Sequence, residues 1–193
     1  MRRLVAVVGL CGLLAAGCTQ SEGPEVVPAT EPASAPLTVA VLGGSEADGQ
    51  DLPDPLRTLW SREVFDALPP STVYVNLGAA GATAAEAAAV QVPAAAEVDP
   101  DVALVWLEEG DAEVATPAED QQADLVAVIE GLGPGTEVLV LDGGGPSAPL
   151  DAAAEAGGAT LVELGDLDPA DVDDQPEIAA QVLEALDALG VGG

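Results

Sequence analysis

Five short apolar runs recur along the chain, separated by longer stretches of helical composition. "LTVAVL" (37–42), "TVYVNL" (72–77), "VALVWL" (102–107), "TEVLVL" (136–141) and "ATLVEL" (159–164) are nearly continuous in hydrophobicity rather than alternating. That is the pattern of strands covered on both faces. The first intervening stretch, "DPLRTLWSREVFDAL" (54–68), places Leu56, Leu59, Trp60, Val64 and Leu68 at helical spacing behind Pro55, whose missing N–H costs nothing in a first turn. "TAAEAAAVQVPAAAE" (83–97) is Ala-rich, and Pro93 is expected to break or kink it. "PAEDQQADLVAVIEGL" (117–132), "APLDAAAEAGG" (148–158) and "PEIAAQVLEALDALG" (176–190) complete the set. Trp60, Phe65, Tyr74 and Trp106 fall inside these elements and are expected to pack in the core.

Strands and helices that alternate in this way predict an α/β fold. The expected form is a flavodoxin-like, doubly wound, five-stranded parallel sheet in the order 2-1-3-4-5, joined by right-handed crossovers. Such sheets carry function at the C-terminal ends of their strands. Here those ends read "GGSEADG", "GAAGAT", "EEGD", "DGGGP" and "GDLDPADVDDQ". Glycine and acid collect at one edge of the sheet.

The N-terminus carries an address. Arg2 and Arg3 precede an apolar stretch, "LVAVVGLCGLL" (4–14), too short to span a bilayer. It ends in "LAAGC" (14–18), which resembles a bacterial lipobox. The resemblance implies cleavage after Gly17, lipid on Cys18, and a location on the extracytoplasmic face of the cell membrane. Residues 1–17 are then signal peptide, and 18–36, rich in Pro, Ser, Thr and Glu, a flexible tether. Residues 37–193 remain as one folded domain. Cys11 leaves with the signal and Cys18 takes lipid, so no disulfide is available to the domain.

Charge narrows the partners. Four Arg and no Lys face 34 acidic residues, and loss of Arg2 and Arg3 takes the −30 of the chain to −32. Nucleic acid is excluded, because phosphate contact needs a basic surface. "DGGGP" lacks the Lys of a phosphate-binding loop, and "GAAGAT" lacks the context of a dinucleotide fingerprint. No cofactor is expected. Without His or a free Cys no transition-metal site is expected either. Asp166, Asp168, Asp174 and Glu177 fall at spacings of a calcium loop, but Ala170 and Asp171 break its pattern. A solvated acidic loop before the last helix is the plainer reading.

One strand end is more specific. A first strand ending Gly43-Gly44-Ser45 in a five-unit α/β domain resembles the SGNH/GDSL hydrolases, whose first block reads Gly-Asp-Ser. "NLGAAGAT" (76–83) resembles their second block and implies Gly78 as the oxyanion-hole N–H. The third block, Gly-x-Asn-Asp, falls on "EEGD" (108–111), with Asp111 kept, Glu108 in place of Gly and Gly110 in place of Asn. The last, Asp-x-x-His-Pro, falls on "VDDQP" (172–176), with Val172 in place of Asp and Gln175 in place of His.

The departures matter chemically. A serine hydroxyl needs a base to take its proton, usually a His. This chain has neither His nor Lys. A carboxylate such as Asp111, Asp173 or Asp174 is the remaining candidate. Loss of one oxyanion donor alone costs about 2.7–4 kcal/mol in hydrolases that use one. The expected protein is a lipid-anchored envelope pseudoenzyme that binds a glycan, acyl group or protein in the old cleft. The alternatives are an esterase working through Ser45 and a carboxylate base, and an acidic cation-binding or spacer lipoprotein.

Overall fold

A computed structural model describes residues 35–144 and 147–191. The signal peptide, Cys18 and the tether up to Ser34 lie outside the described residues. Among those that are described, no helix is long and apolar enough to cross a membrane.

Five parallel strands form one sheet: β1 (Thr38–Gly43), β2 (Val73–Asn76), β3 (Val102–Trp106), β4 (Glu137–Asp142) and β5 (Thr160–Glu163), in the order β2-β1-β3-β4-β5. Each lies within a residue or two of its apolar run, and the parallel, doubly wound arrangement is the one expected. Successive side chains of a strand point to opposite faces, so the continuous runs build two cores. Val39, Val41, Leu104, Trp106, Leu139 and Leu141 pack with α3 (Trp60–Ala67) and α9 (Gln175–Ala188). Ala40, Leu42, Val105, Val138 and Val140 pack on the other face with α7 (Ala118–Gly131) and α8 (Ala148–Gly157). Full burial contributes about 1.5–3 kcal/mol for each large apolar side chain.

Two helices depart from the sequence pattern. The stretch 54–68 forms α2 (Pro55–Thr58) and α3, preceded by the four-residue α1 (Ser45–Asp48). Leu59 breaks the ladder with an extended backbone, φ −66° and ψ 132°. The Trp60 N–H this frees is taken by the Gln175 side chain at 2.8 Å. Leu56 consequently lies 86% exposed, not in the core, while Leu59, Trp60, Val64 and Leu68 are buried.

Pro93 does not stop its helix. α4 (Ala84–Glu86) runs through a π turn (Ala87–Gln91) into α5 (Val92–Ala96). The ring enters where the hydrogen-bond ladder has already shifted, so the missing N–H is absorbed. Trp60 and Trp106 are buried against each other, ring centres 5.8 Å apart. Phe65 and Tyr74 are only half-buried, with Tyr74 Oη 2.8 Å from Ser61 Oγ.

Candidate functional site

At the end of β1 the chain must turn sharply while pressed against β3. A side chain at Gly43 would strike the Trp106 carbonyl, so only glycine fits. Gln91, on the π turn, fixes this point from the other side. Its Oε1 accepts the Gly43 N–H at 2.9 Å and its Nε2 donates to the Gly43 carbonyl at 2.9 Å. Ser45 follows, 8% exposed, on the wall of a cleft of about 400 Å³. Its Oγ accepts from the Gly81 N–H at 3.2 Å and from Gln50 Nε2 at 3.3 Å. Both partners are donors. Among the described residues no carboxylate is hydrogen-bonded to this hydroxyl.

Of the other residues singled out in the sequence, Asp168 lines the same cleft, whereas Gly78, Gly110, Asp111 and Gln175 do not. The Gly78 N–H is held by Asn76 Oδ1 at 2.8 Å, and Asn76 Nδ2 donates to the Ala47 carbonyl at 2.7 Å. That block therefore ties β2 to α1, and the N–H reaching Ser45 is that of Gly81. Asp111 is buried, with Oδ2 on the Ala84 N–H at 2.9 Å and Oδ1 on Thr116 Oγ1 at 2.7 Å. It anchors α4, and neither of its oxygens is hydrogen-bonded to Ser45. Gly110 is packed under the Ala82 carbonyl, which occupies the space of any side chain there.

Gln175 is fully buried away from the cleft lining. Besides accepting from Trp60, it donates to the carbonyls of Pro169 (2.8 Å) and Asp171 (3.2 Å). The calcium reading fares no better. Asp174 Oδ2 accepts the Asp168 N–H at 2.9 Å and Asp168 Oδ1 the Ala170 N–H at 2.8 Å. Among the described residues no three His, Cys, Asp or Glu side chains converge to hold a metal.

Two further acids, Glu46 and Glu108, form the inner wall of the cleft. Glu46 is 4% exposed; its Oε1 accepts the N–H groups of Glu109 (2.7 Å) and Glu108 (3.2 Å), and its Oε2 has no partner. That Oε2 stands 2.7 Å from where a Cβ on residue 44 would sit. Any side chain at position 44 would therefore need Glu46 to move. Glu108 Oε2 accepts from Trp106 Nε1 (3.0 Å) and the Gly143 N–H (2.7 Å). Beside it, Asp142 is 1% exposed, with Oδ2 on the Ser147 N–H at 3.1 Å and Oδ1 unpartnered.

Burial pushes all three carboxyls above their ordinary values, against the pull of those N–H bonds. The charge of Glu109 adds to the rise at Glu46, that of Asp142 at Glu108, and that of Asp151 at Asp142. The available signal was position: each acid directly follows or closes a strand, at the edge where glycine and acid collect.

No protein-family model matches the chain, and no curated protein matches it. Solved structures do. The psychrotrophic esterase EstA from Pseudoalteromonas sp., in a structure inhibited by monoethylphosphonate, superposes with a TM-score of 0.62 at 16% identity, over 79% of this chain and 97% of that one. TesA matches with a TM-score of 0.63 at 21% identity, over 79% and 99%. A member of the lipolytic G-D-S-L family from Veillonella parvula gives 0.62 at 12% identity, over 78% and 98%. The fold is that of the SGNH hydrolases. At these identities the likeness carries the architecture alone. Within this SGNH-type sheet, Ser45, Glu46, Glu108 and Gly143 share one cleft at the C-terminal strand ends, where an α/β sheet binds its ligands.

Proposed function

We propose that this chain is a lipid-anchored envelope protein whose SGNH-type domain binds a ligand in its cleft without serine-esterase chemistry. The observation that carries the reading is the surroundings of Ser45. Its Oγ is held by two donors, Gly81 N–H and Gln50 Nε2. A nucleophile needs the opposite, an acceptor that takes its proton. The sequence has no His or Lys to supply one. Asp111 has both oxygens committed and Gln175 is turned onto Trp60. The lipid anchor rests on "LAAGC" (14–18). A chain carrying an acyl-like apolar part is the ligand the fold suggests, since EstA is an esterase.

A second reading has one observation in its favour. Ser45 faces the cleft with a backbone N–H beside it, and Glu46 and Glu108 line the same cleft with raised carboxyls. This is the esterase with a carboxylate base.

The full chain in neutral detergent, given short-chain nitrophenyl esters beside its Ser45→Ala variant, separates the two. Equal background rates are expected. Turnover that disappears in the variant, and that rises with pH through the raised carboxylate range, would establish the esterase. The anchor is tested separately: Cys18→Ser should move the protein from the membrane to the soluble fraction, and an unchanged membrane fraction would remove it.

A further inference from the structure

The cleft has a sign. Five acids line it, Glu46, Asp51, Glu108, Glu109 and Asp168, and among the described residues no basic one does. The described cations, Arg57 and Arg62, lie in other pairs, with Asp54 and Asp66. A row of acids alone often means only a solvated surface. One residue of the cleft argues otherwise here. Glu46 lines it, is more than nine-tenths buried, and its Oε2 is a buried acceptor without a donor; Asp142 Oδ1, outside the lining, is a second such acceptor. A buried acceptor left unpaired is costly, and retaining it beside a cleft is the mark of a partner that arrives from outside.

We infer that the cleft binds an organic cation, an alkylammonium or guanidinium group on a slender chain, with Glu46 and Glu108 as its carboxylate partners. This deepens, and rests on, the reading of the cleft as a binding site. The chemistry of the missing partner follows from what is present. It must donate hydrogen bonds, because the orphans accept. It must be cationic, because five carboxylates surround the entrance and interior. It is not a bare metal ion, since among the described residues no three acidic side chains converge on one point. Nor is it inorganic in size: about 400 Å³ is room for a chain with a polar head.

The layout fits such a chain. Asp51, Glu109 and Asp168 are exposed at the opening and draw a cation in through long-range attraction. Glu108 and Glu46 are the deeper groups. Glu108 spends its Oε2 on Trp106 and Gly143, and its Oε1 lies toward Gly144, 3.4 Å from where a Cβ there would stand. An entering ammonium meets that oxygen first. Desolvation raises the Glu46 and Glu108 carboxyls, and the opposite charge of a bound cation would pull them back down.

The test uses the full chain in neutral detergent at about 150 mM salt, where remote surface attraction is screened. Calorimetric titrations compare 1,6-diaminohexane, its neutral counterpart 1,6-hexanediol, tetralysine and calcium chloride. Saturable diamine or tetralysine binding is expected, with no heat from the diol. Diamine binding assigns the site to a free amine, and tetralysine binding alone to a side chain of a cationic peptide. Glu46→Gln, which keeps the Oε1 acceptor, should weaken that binding about tenfold or more, as loss of a buried charge partner does. Asp51→Asn, on an exposed residue that cannot unfold the domain, should weaken it by a smaller factor. Glu155→Gln on the exposed side of α8 should leave it unchanged.

The inference falls if neither amine binds, if the diol binds as well, if calcium binds with the same dependence on Glu46, or if Glu155→Gln weakens binding as much as Glu46→Gln. Ester turnover dependent on Ser45 would remove the non-catalytic reading while the amine titration still decided this site. Absent turnover together with absent amine binding would keep that reading and overturn this inference alone.

Discussion

Glu46 Oε1 accepts the Glu109 N–H at 2.7 Å while Oε2 of the same carboxyl meets no donor. The side chain bridges the turn after β1 to the start of α6 (Glu109–Glu113), and so ties two strand ends together. Its Oε2 also stands 2.7 Å from where a Cβ at position 44 would sit. The cost is a half-satisfied carboxyl in the protein interior.

That cost has a sign in pH. Glu46, Glu108 and Asp142 hold their protons more tightly when folded than at the ordinary 4.5 for Glu and 3.8 for Asp. The folded chain therefore binds protons that the unfolded chain releases. Stability from these groups is fully present below the ordinary values and is lost as pH rises through the raised ones. The melting temperature should be higher near pH 5 than near pH 8, each ~1 kcal/mol reading as roughly 2–4 °C in a domain of this size. General self-repulsion of an acidic chain acts in the same direction. The Glu46→Gln, Asp142→Asn double variant isolates the site: its thermal scans should show a flatter pH dependence, and an unchanged slope would refute the assignment.

Gln175 stands where the last block of the resemblance carries its His, yet putting His back should not create an esterase. The side chain is buried and joins α9 to Trp60 and to the loop at Pro169 and Asp171. Gln175→His breaks that three-way tie, at about 1–3 kcal/mol for each buried partner left unsatisfied. Urea unfolding should register the loss, and nitrophenyl ester assays should stay at background.

Gly110 is a packing requirement. The Ala82 carbonyl fills the space of its absent side chain, so Gly110→Ala should destabilise the fold by about 1–3 kcal/mol or more. Gly135 has nothing within 4 Å of the same position, and Gly135→Ala should fall within about 0.5 kcal/mol of the parent. Equal midpoints in urea for the two variants would contradict the packing account.

Gln91 is the least obvious of the residues that position Ser45. Gln91→Leu keeps the size but leaves the Gly43 N–H without its acceptor, a loss of about 1–3 kcal/mol. Gln91→Glu keeps that acceptor but turns a carboxyl oxygen on the Gly43 carbonyl. It should be destabilised at neutral pH and recover on acidification, when a protonated Glu can donate. Chemical unfolding at pH 5 and pH 8 checks this, and no recovery would show that the amide's donor is dispensable.

The strands and their order were legible in the sequence, because burial on both faces demands uninterrupted apolar residues and alternating helices leave a parallel sheet few topologies. The location of the site was legible for the same reason: glycine and acid gather where the strands end. Local pattern also suggested one helix over 54–68, which is split, and a break or kink at Pro93, where the helix runs on through a π turn; distant groups decided both. Gln175 reaches across 115 positions to take the Trp60 N–H, and a π turn that presents Gln91 to Gly43 accommodates the proline.

The chemistry of the cleft belonged to the tertiary structure. Which N–H faces Ser45, Gly81 or Gly78, depends on where Asn76 turns its side chain. Whether Asp111 is free to act depends on Ala84 and Thr116. The acids that line the cleft come from the ends of separate strands, and their proximity, desolvation and unmet hydrogen bonds exist only once the sheet has brought those ends together. Sequence sets what each residue can do; which of them meet, and with which oxygens still unpaired, is settled by packing at long range.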